Sequence, residues 1–540
     1  MTTITPYRPP VPAGRDGFGQ VLHAEWTKFH TVRGWIVGML IAIIVIAGLG
    51  ILVAKTSGNA SCQSVATGPN GQTQTGQVQH GAACGGPSYA LGPGGEPVND
   101  QFYFVRQPLA GNGSITVRVT SLTGISPSAG PRPVAQAGVV PWAKAGIIIK
   151  NGTTQGSAYA AMMVTGGNGV RMQWNYTGDT PGLPGAVSAA TPRWLRLTRD
   201  GDTITGYDSA DGTHWTQVGT VTLSGLPSTV QAGMFATSPV HETYSSTLGV
   251  GNNDFNSTQA TGTFDDVSRT GAWPASSWTG DYIVGSGQMG TNGNGYQQAG
   301  GRFTVTGSGD IGPLLGGPGM SEGGGDITLR DYLFGTFAGL IAVAVIAAMF
   351  MTSEYRRGLI RTTLSASPNR FRVLAAKAIV IGAAAFVVGL VAAAVAVIAG
   401  KRVAHIGSML FPTPWPTELR MIVGTAAAVA LIAVLTLAVA TIVRRSATTI
   451  LIVIVAVVIP TVVSIPPGIP SGVTEWLLRV TPAAGLAVQQ AVPQYYQVQA
   501  NYIPSTGFFP LAPWTGFAVL CAWAAVALAL AAYLLHRRDA

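Results

Sequence analysis

Few residues of this chain have the types and spacing that catalysis or cofactor binding requires. The one Gly-Lys pair, Gly400-Lys401, is followed by Arg402, so the phosphate-binding loop of an ATPase is missing. The sequence has neither the CxxC nor the Cys/His spacing of a structural zinc site. It also lacks the Glu-x-Asp-x-Glu pattern in which some polysaccharide hydrolases carry their carboxylates. We therefore expect no enzyme activity, no metal and no cofactor in this chain.

The densest group of charged residues lies between Glu354 and Lys377, where six basic residues occur between two apolar stretches. If the chain uses ATP to transport a substrate, another polypeptide must hydrolyse the ATP, because this sequence has no phosphate-binding loop. The segment from Glu354 to Lys377 is a candidate surface for contact with that polypeptide. A basic loop that only fixes the membrane topology is the alternative.

The composition indicates a membrane protein. Charged residues make up 10% of the 540 residues, against about 25% in soluble globular domains. The net charge of +9 would suit nucleic acid, but the basic residues stand beside apolar stretches rather than among aromatic residues. We therefore expect membrane lipid, and no nucleic acid, as a partner.

Six apolar stretches have about the 20 residues that a helix needs to cross a bilayer. They cover residues 35–54, 333–352, 378–399, 421–443, 447–466 and 515–535. None contains Asp, Glu, Lys, Arg or His, which argues against a proton-driven carrier. The expected fold class is an α-helical integral membrane protein with six transmembrane helices and one large insertion between the first two.

Basic residues that flank the spans predict the orientation. Fourteen lie on the side that includes both termini, against four in the opposing short loops. Both termini, with a disordered segment at 1–16, are therefore predicted to be cytoplasmic, and residues 57–330 extracellular. A cleaved signal peptide is the alternative for the first span, but its long apolar core favours an uncleaved anchor. In the oxidising exterior we expect Cys62 and Cys84 to form a disulfide within the linker 57–100.

The segment from 101 to 310 has the pattern of an all-β domain. Short apolar segments between turn residues predict an antiparallel sandwich. There are seven, at 145–150, 158–165, 170–176, 194–198, 203–207, 215–221 and 231–236. The stretch from Trp194 to Trp215, with Phe264 to Val267 as a closing strand, resembles the concanavalin A-like (laminin-G-like) jelly-roll domains of bacterial surface proteins. A Gly-rich tether at 311–330 follows.

That resemblance implies a possible glycan ligand, which Trp174, Trp194 and Trp215 would contact by stacking on sugar rings. Packing in the core or on a sheet face is the alternative for each indole. Asp265 and Asp266 are candidates for a calcium site, since calcium prefers several oxygen ligands. Adjacent acids at a strand end are more often simply solvated.

Another segment with a clear pattern precedes the first span. Phe18, Leu22, Trp26 and Phe29 recur at helical spacing with polar residues between them. We expect an amphipathic helix in the membrane interface, within a unit at 17–56 that includes the first transmembrane helix.

The segments 24–35 and 354–377 together resemble the membrane subunit of type-2 ABC exporters. In that family an amphipathic elbow precedes the first span, and a coupling helix after the second span docks on the ATP-binding subunit. Four residues match the coupling helix by position: Glu354, Arg356, Arg357 and Arg361. The stretch from Trp476 to Gln490 resembles the family's re-entrant helix, and 331–540 would hold spans two to six.

The resemblance implies a permease subunit in the bacterial plasma membrane. Its partners would be a cytoplasmic ATP-binding subunit, which carries ATP and Mg, and a second permease copy or paralogue. An apolar bundle suits an amphipathic or lipid-like substrate. The alternative is a cell-surface protein that binds or senses glycan, and a third hypothesis treats the insertion as a lid or spacer.

Overall fold

The computed structural model describes residues 17–56, 61–67, 73–80, 90–128, 134–247, 250–274, 276–283, 293–315, 328–356, 358–359, 369–403, 410–464, 471–498 and 502–537. Nine α-helices lie in these ranges: α1 (Phe18–Thr31), α2 (Arg33–Thr56), α3 (Thr336–Arg356), α4 (Arg370–Val403), α5 (Trp415–Val443), α6 (Ser446–Val457), α7 (Ile459–Val463), α8 (Ser471–Val480) and α9 (Pro513–Arg537). The 3-10 helices in these ranges are Asp331–Leu333, Pro482–Gln489 and Pro504–Thr506.

The described residues contain six helical segments long and apolar enough to cross a membrane, which confirms the predicted number. Five of them correspond to α2, α3, α4, α5 and α9, and the remaining one combines α6 with α7. The break between α6 and α7 lies beside Pro460, which has no N–H for a helical hydrogen bond. α4 begins before the predicted apolar stretch, because its charged first turns from Arg370 to Lys377 are also helical.

The helical part has an apolar core centred on α5, which packs against α3, α4, α6 and α9. Small residues let backbones approach closely at two of these contacts. Gly389 of α4 lies against Ala426 of α5. Gly516 of α9 lies against Ala484 of the 3-10 helix Pro482–Gln489, which is called the Pro482–Gln489 turn below. Side chains larger than glycine would collide at both places.

Most of the inserted segment is β-structure, hereafter the β-domain. Its described strands are β1 (Ser61–Thr67), β2 (Thr73–His80), β3 (Ala90–Leu91), β4 (Pro97–Asp100), β5 (Phe102–Pro127), β6 (Ala135–Ala137), β7 (Lys144–Lys150), β8 (Tyr159–Thr165), β9 (Val170–Trp174), β10 (Gly178–Pro181), β11 (Arg193–Asp200), β12 (Thr203–Ser209), β13 (Thr216–Thr222), β14 (Thr229–Thr237), β15 (His241–Thr247), β16 (Val250–Asn256), β17 (Gln259–Ala272), β18 (Thr279–Ile283), β19 (Gly295–Ala299), β20 (Arg302–Gly307) and β21 (Ile311–Pro313).

The largest sheet is antiparallel, and the long strand β5 takes part in both of its halves. The strand order is β10-β9-β8-β7-β14-β5-β11-β12-β13, with β17 and β18 also paired to β5. Val105, Ile147, Met162 and Leu195, from four different strands, are buried together in one core. The predicted β-sandwich is therefore confirmed, and each of the seven predicted strands is present. Membership in the concanavalin A-like group stays a prediction.

A small third layer, formed by β3, β4 and β21, covers the outer face of β7. Ile147 and Ile149 pack in the main core, whereas Ile148 packs with Val98 of β4 and Ile311 of β21. Because both faces of β7 are buried, its apolar run is continuous rather than alternating. The three covering strands lie outside the predicted sandwich limits of 101 and 310.

Two buried lysines at the ends of β7 bind this third layer. Lys144 Nζ lies 2.6 Å from Asp310 Oδ1, and Lys150 Nζ lies 2.8 Å from Asp100 Oδ2. Tyr176 donates a hydrogen bond to Asp100 at 2.8 Å. Burial lowers the pKa of Lys150, although the Asp100 carboxylate opposes that shift. Because β4 pairs with β21, the segment directly before β5 and the segment that follows β20 lie side by side.

The β-domain contacts the helical part through the segment that precedes α9. Gln497 Nε2 donates to the carbonyl oxygens of Tyr176 and Thr177, each at 3.2 Å. Upstream of this contact, the Pro482–Gln489 turn is fully buried. It occupies part of the stretch predicted to be a re-entrant helix, and Pro482 separates it from α8.

Candidate coupling site

The amphipathic elbow forms as α1, and its burial differs in one respect from the sequence pattern. Phe29 is buried and Leu22 is partly buried, whereas Phe18 and Trp26 are 37% and 47% exposed. Glu25, which the pattern groups with the polar residues, is only 1% exposed. The face of α1 that packs against the other helices therefore carries a carboxylate.

That carboxylate belongs to a group of four charged side chains, Glu25, Lys28, Glu354 and Lys377, called the charged cluster below. Lys377 Nζ donates to Glu25 Oε2 at 2.6 Å and to Glu354 Oε1 at 2.7 Å. Lys28 Nζ lies 2.8 Å from Glu25 Oε1 and 3.2 Å from Glu354 Oε1. The cluster joins α1, the last turn of α3 and the start of α4, and its formal charges cancel.

Aromatic rings pack beside Lys377 of the charged cluster. Lys377 is fully buried, and its Nζ lies 4.6 Å from the centre of the Phe350 ring. The Phe350 ring meets Phe29 and Trp35 edge to face, at 5.6 and 5.1 Å. Such a setting strengthens ion pairs but makes an unpaired charge costly.

Lys28 is the most exposed member of the cluster. Burial lowers its pKa, but the hydrogen bond to Glu25 and the nearby charge of Glu354 outweigh this effect and raise the pKa overall. Lys28 is therefore protonated at neutral pH. Glu354 Oε2, by contrast, is buried and has no hydrogen-bond partner among the described residues.

Further contacts tie the same ends of the helices into one rim. Arg370 Nη1 of α4 donates to the carbonyl oxygen of Leu535 in α9 at 2.6 Å. Arg444, which follows α5, places its guanidinium 5.0 Å from the centre of the Tyr355 ring in α3. The rim therefore comprises α1 and the adjoining ends of α3, α4, α5 and α9.

The predicted coupling residues occupy different positions. Glu354 is in the charged cluster, and Arg356 is exposed at the end of α3. Arg357 and Arg361 lie outside the described residues. Lys28 and Lys377 were not predicted as site residues. The i,i+3 spacing of Glu25 and Lys28, and a lysine directly before an apolar stretch, are the signals that point to them.

The predicted glycan contacts differ in accessibility. The Trp194 ring lies 5.7 Å from the Arg118 guanidinium, and the Trp215 ring lies 3.8 Å from that of Arg196. One side of each indole is thus already in contact with an arginine. Trp174 lines a cavity instead. The glycan prediction consequently depends most on Trp174.

The two calcium candidates, Asp265 and Asp266, both lie next to the guanidinium of Arg118. Arg118 Nε lies 2.7 Å from Asp265 Oδ1 and 3.1 Å from Asp266 Oδ2. Within the described residues no group of three potential metal ligands occurs. This geometry favours ion pairing over calcium binding, because the guanidinium occupies the oxygens that a calcium ion needs.

The predicted disulfide falls largely outside the described part of the chain. The backbone of Cys62 lies in β1, opposite Gln79 of β2. Its side chain and all of Cys84 are outside the description, so the pairing stays a prediction.

Comparison with known proteins identifies one related family. The model of the ABC-2 family transporter proteins matches residues 197–540. No curated protein matches the chain. A functionally unknown protein from Saccharomyces cerevisiae is 15% identical, with 35% of this chain and 83% of that chain covered and a TM-score of 0.21. Scytalido-glutamic peptidase with a peptide-based transition state analog is 11% identical, with 40% and 100% covered and a TM-score of 0.21. Scores of this size do not establish a shared fold.

Proposed function

Because the chain belongs to the ABC-2 transporter family, we propose that it is the permease subunit of a bacterial plasma-membrane exporter. ATP and Mg would bind to a separate cytoplasmic subunit, since this sequence has no phosphate-binding loop. The observation that carries the proposal is the charged cluster. It links the elbow α1 to Glu354 and Lys377, the two ends of the proposed coupling segment.

The charged cluster offers a mechanical route from the ATPase to the spans. When the ATP-binding subunits close, they would push on the segment between α3 and α4. Glu354 and Lys377 are held together at 2.7 Å, so both helices would move with that segment. Glu25 would carry the same displacement into α1, and the bundle would switch between inward and outward access.

This role requires the rim to face the cytoplasm. The excess of basic residues on the side of both termini supports that orientation. Residues 57–330, including the β-domain, would then lie outside the cell. The exposed side chains of Phe18 and Trp26 would contact lipid at the inner membrane surface.

A second copy of the chain, or a paralogue, would complete the transport pathway. α2, α6 and α9 leave many apolar side chains exposed, among them Ile44, Leu451 and Val526. Lipid would cover part of this surface, and the partner permease the rest. Because the packed core of the bundle is apolar, an amphipathic or lipid-like substrate suits it better than an ion.

The test is ATPase stimulation by the permease after co-purification of the ATP-binding subunit from native membranes. Arg356→Glu reverses a charge that is exposed at the end of α3. We expect it to reduce stimulation by about tenfold or more, because the reversed charge would face a like charge on a partner surface that suits arginine, and such a juxtaposition costs several kcal/mol.

The matched control is Arg479→Glu on α8, which reverses an exposed charge at the opposite end of the bundle. It should leave stimulation unchanged. Equal stimulation by the wild type and the Arg356→Glu variant, with the partner still bound, would contradict the coupling role.

A further inference from the structure

The β-domain contains a cavity of about 510 Å³ beside the third layer. That volume is within the range of small-molecule sites, which is roughly 300–1,000 Å³. The side chains that matter for recognition come from three parts of the domain: Glu96, Trp174, Asn175, Thr177, Thr222 and Ser224. Neither lysine nor arginine is among the residues that line the cavity.

Glu96 gives this cavity a negative charge. It is 4% exposed, and it folds over Gly92 and Gly94, where any Cβ atom would strike its carboxylate oxygens. Among the described residues no basic side chain forms an ion pair with it. By contrast, Asp100 pairs with Lys150, and Asp310 pairs with Lys144. Burial raises the pKa of Glu96, although hydrogen bonds from the backbone N–H groups of Glu96 and Gly94 oppose that shift. The carboxylate therefore has backbone donors but no cation among the described residues.

Trp174 supplies a fixed aromatic surface in the same cavity. Its indole lies against Gly178, where a Cβ atom would collide with the ring, so the hairpin that joins β9 and β10 holds the ring in place. A cation within about 6 Å of an indole face is attracted to it. Thr222 and Ser224 are exposed and have hydroxyl groups that can exchange hydrogen bonds with a ligand.

We propose that this cavity binds a small hydroxylated ammonium compound of the amino sugar class, with its ammonium group between the Glu96 carboxylate and the Trp174 ring. The negative charge and the absence of basic lining residues disfavour anions. The hydroxyl groups at its edge disfavour a purely apolar ligand. The proposal does not depend on export, because it concerns the β-domain alone.

The experiment compares glucosamine with glucose, which has a hydroxyl group in place of the amine. Binding to the full-length chain in detergent is measured by equilibrium dialysis at neutral pH. We expect glucosamine to bind about tenfold or more tightly than glucose, because only its ammonium group can form an ion pair with Glu96 and a cation–π contact with Trp174. Glu96→Gln should remove this preference, and Trp174→Leu should weaken binding of glucosamine.

Glu475→Gln is the control, because it neutralises an exposed carboxylate on α8 that is not among the residues lining the cavity. It should bind glucosamine like the wild type. The comparison of the two sugars on the wild-type chain needs no variant, so misfolding of Glu96→Gln would not obscure the result. Equal affinity for both sugars, or no binding of glucosamine, overturns the proposal.

Discussion

At the scale of single residues, Lys377 is the fully buried cation of the charged cluster. Its ammonium group contacts carboxylates from two other helices, and it is fully buried. Without it, only the partly exposed Lys28 would offset the negative charges of the two glutamates. A buried ion pair adds little net stability compared with apolar packing, but the loss of one partner is costly. We infer that the role of the cluster is to specify how α1, α3 and α4 assemble rather than to add stability.

Replacement of Lys377 by methionine tests this reading. Glu25 and Glu354 would lose their buried partner, so the free energy of unfolding should fall by about 3–5 kcal/mol. Thermal unfolding in detergent measures the change. Lys401→Met is the control, because the Lys401–Glu418 pair is partly exposed and should contribute at most about 1 kcal/mol.

The double variant Glu354→Gln, Lys377→Met should recover part of the loss, since it removes a negative charge as well. Equal free energies of unfolding for Lys377→Met and Lys401→Met would contradict the predicted cost of leaving the two glutamates without Lys377.

Glu96 predicts a pH dependence of stability. Its pKa in the folded chain is raised above 4.5 by burial, so the folded state binds this proton more tightly than the unfolded state. Its stabilising contribution is present below pH 4.5 and is lost as the pH rises through the raised pKa. The Tm of the wild type, relative to that of Glu96→Gln, should therefore decrease as the pH rises from 4.5 through the raised pKa of Glu96. A difference that does not vary with pH would exclude this assignment.

At the scale of elements, the buried Pro482–Gln489 turn depends on small neighbours. Gly516 of α9 leaves no space for a Cβ atom beside the carbonyl oxygen of Ala484. Gln489 donates hydrogen bonds to Thr336 and Thr425, at 3.3 and 3.2 Å, so the turn also links α3 with α5. Displacement of the turn would disturb three helices together.

Gly516→Ala should consequently destabilise the chain by about 1–3 kcal/mol through overpacking. Gly48→Ala on α2 is the matched control, because nothing lies within 4 Å of the added methyl group. There the better helix propensity of alanine should stabilise by up to about 1 kcal/mol. A lower Tm for Gly516→Ala together with a higher Tm for Gly48→Ala would support the close contact between Gly516 and Ala484. An unchanged Tm for Gly516→Ala would refute it.

At the scale of the whole molecule, the β-domain is anchored to the helical part at more than its two chain connections. Gln497 is 2% exposed and binds the turn that contains Tyr176. Asn175 and Tyr176 have positive φ angles of 43° and 64°, which non-glycine residues rarely adopt. This strained turn also borders the cavity beside Trp174. A ligand in that cavity would therefore contact the turn through which the β-domain binds the helical part.

The orientation of the whole molecule is open to a direct test with a membrane-impermeant maleimide on sealed cells. Thr213→Cys introduces a thiol on an exposed turn of the β-domain, and Asn369→Cys introduces one at the exposed start of α4. We expect labelling of the first variant only, with the second labelled after permeabilisation. The parent chain measures the background from its own cysteines. The reverse pattern would invert the proposed topology.

Much of the fold follows from local sequence patterns. Apolar stretches of about 20 residues marked the spans, and alternation of apolar segments with turn residues marked the sandwich. The sequence did not predict that β4 and β21 form a third layer, because their few residues have no pattern of their own. In the folded chain they pair over β7, which presents to them a second apolar face and two lysines.

The sequence by itself determined the elements and the candidate segments, since periodicity and length act within one stretch of chain. Glu354 was recognisable from its segment, but its pairing with Lys28 and Lys377 was not. Lys377 and Glu25 are 352 positions apart, and Lys28 and Glu354 are 326 apart. Only the packing of α1 against α4 and α3 brought them together, because side-chain contacts between helices depend on how the helices dock.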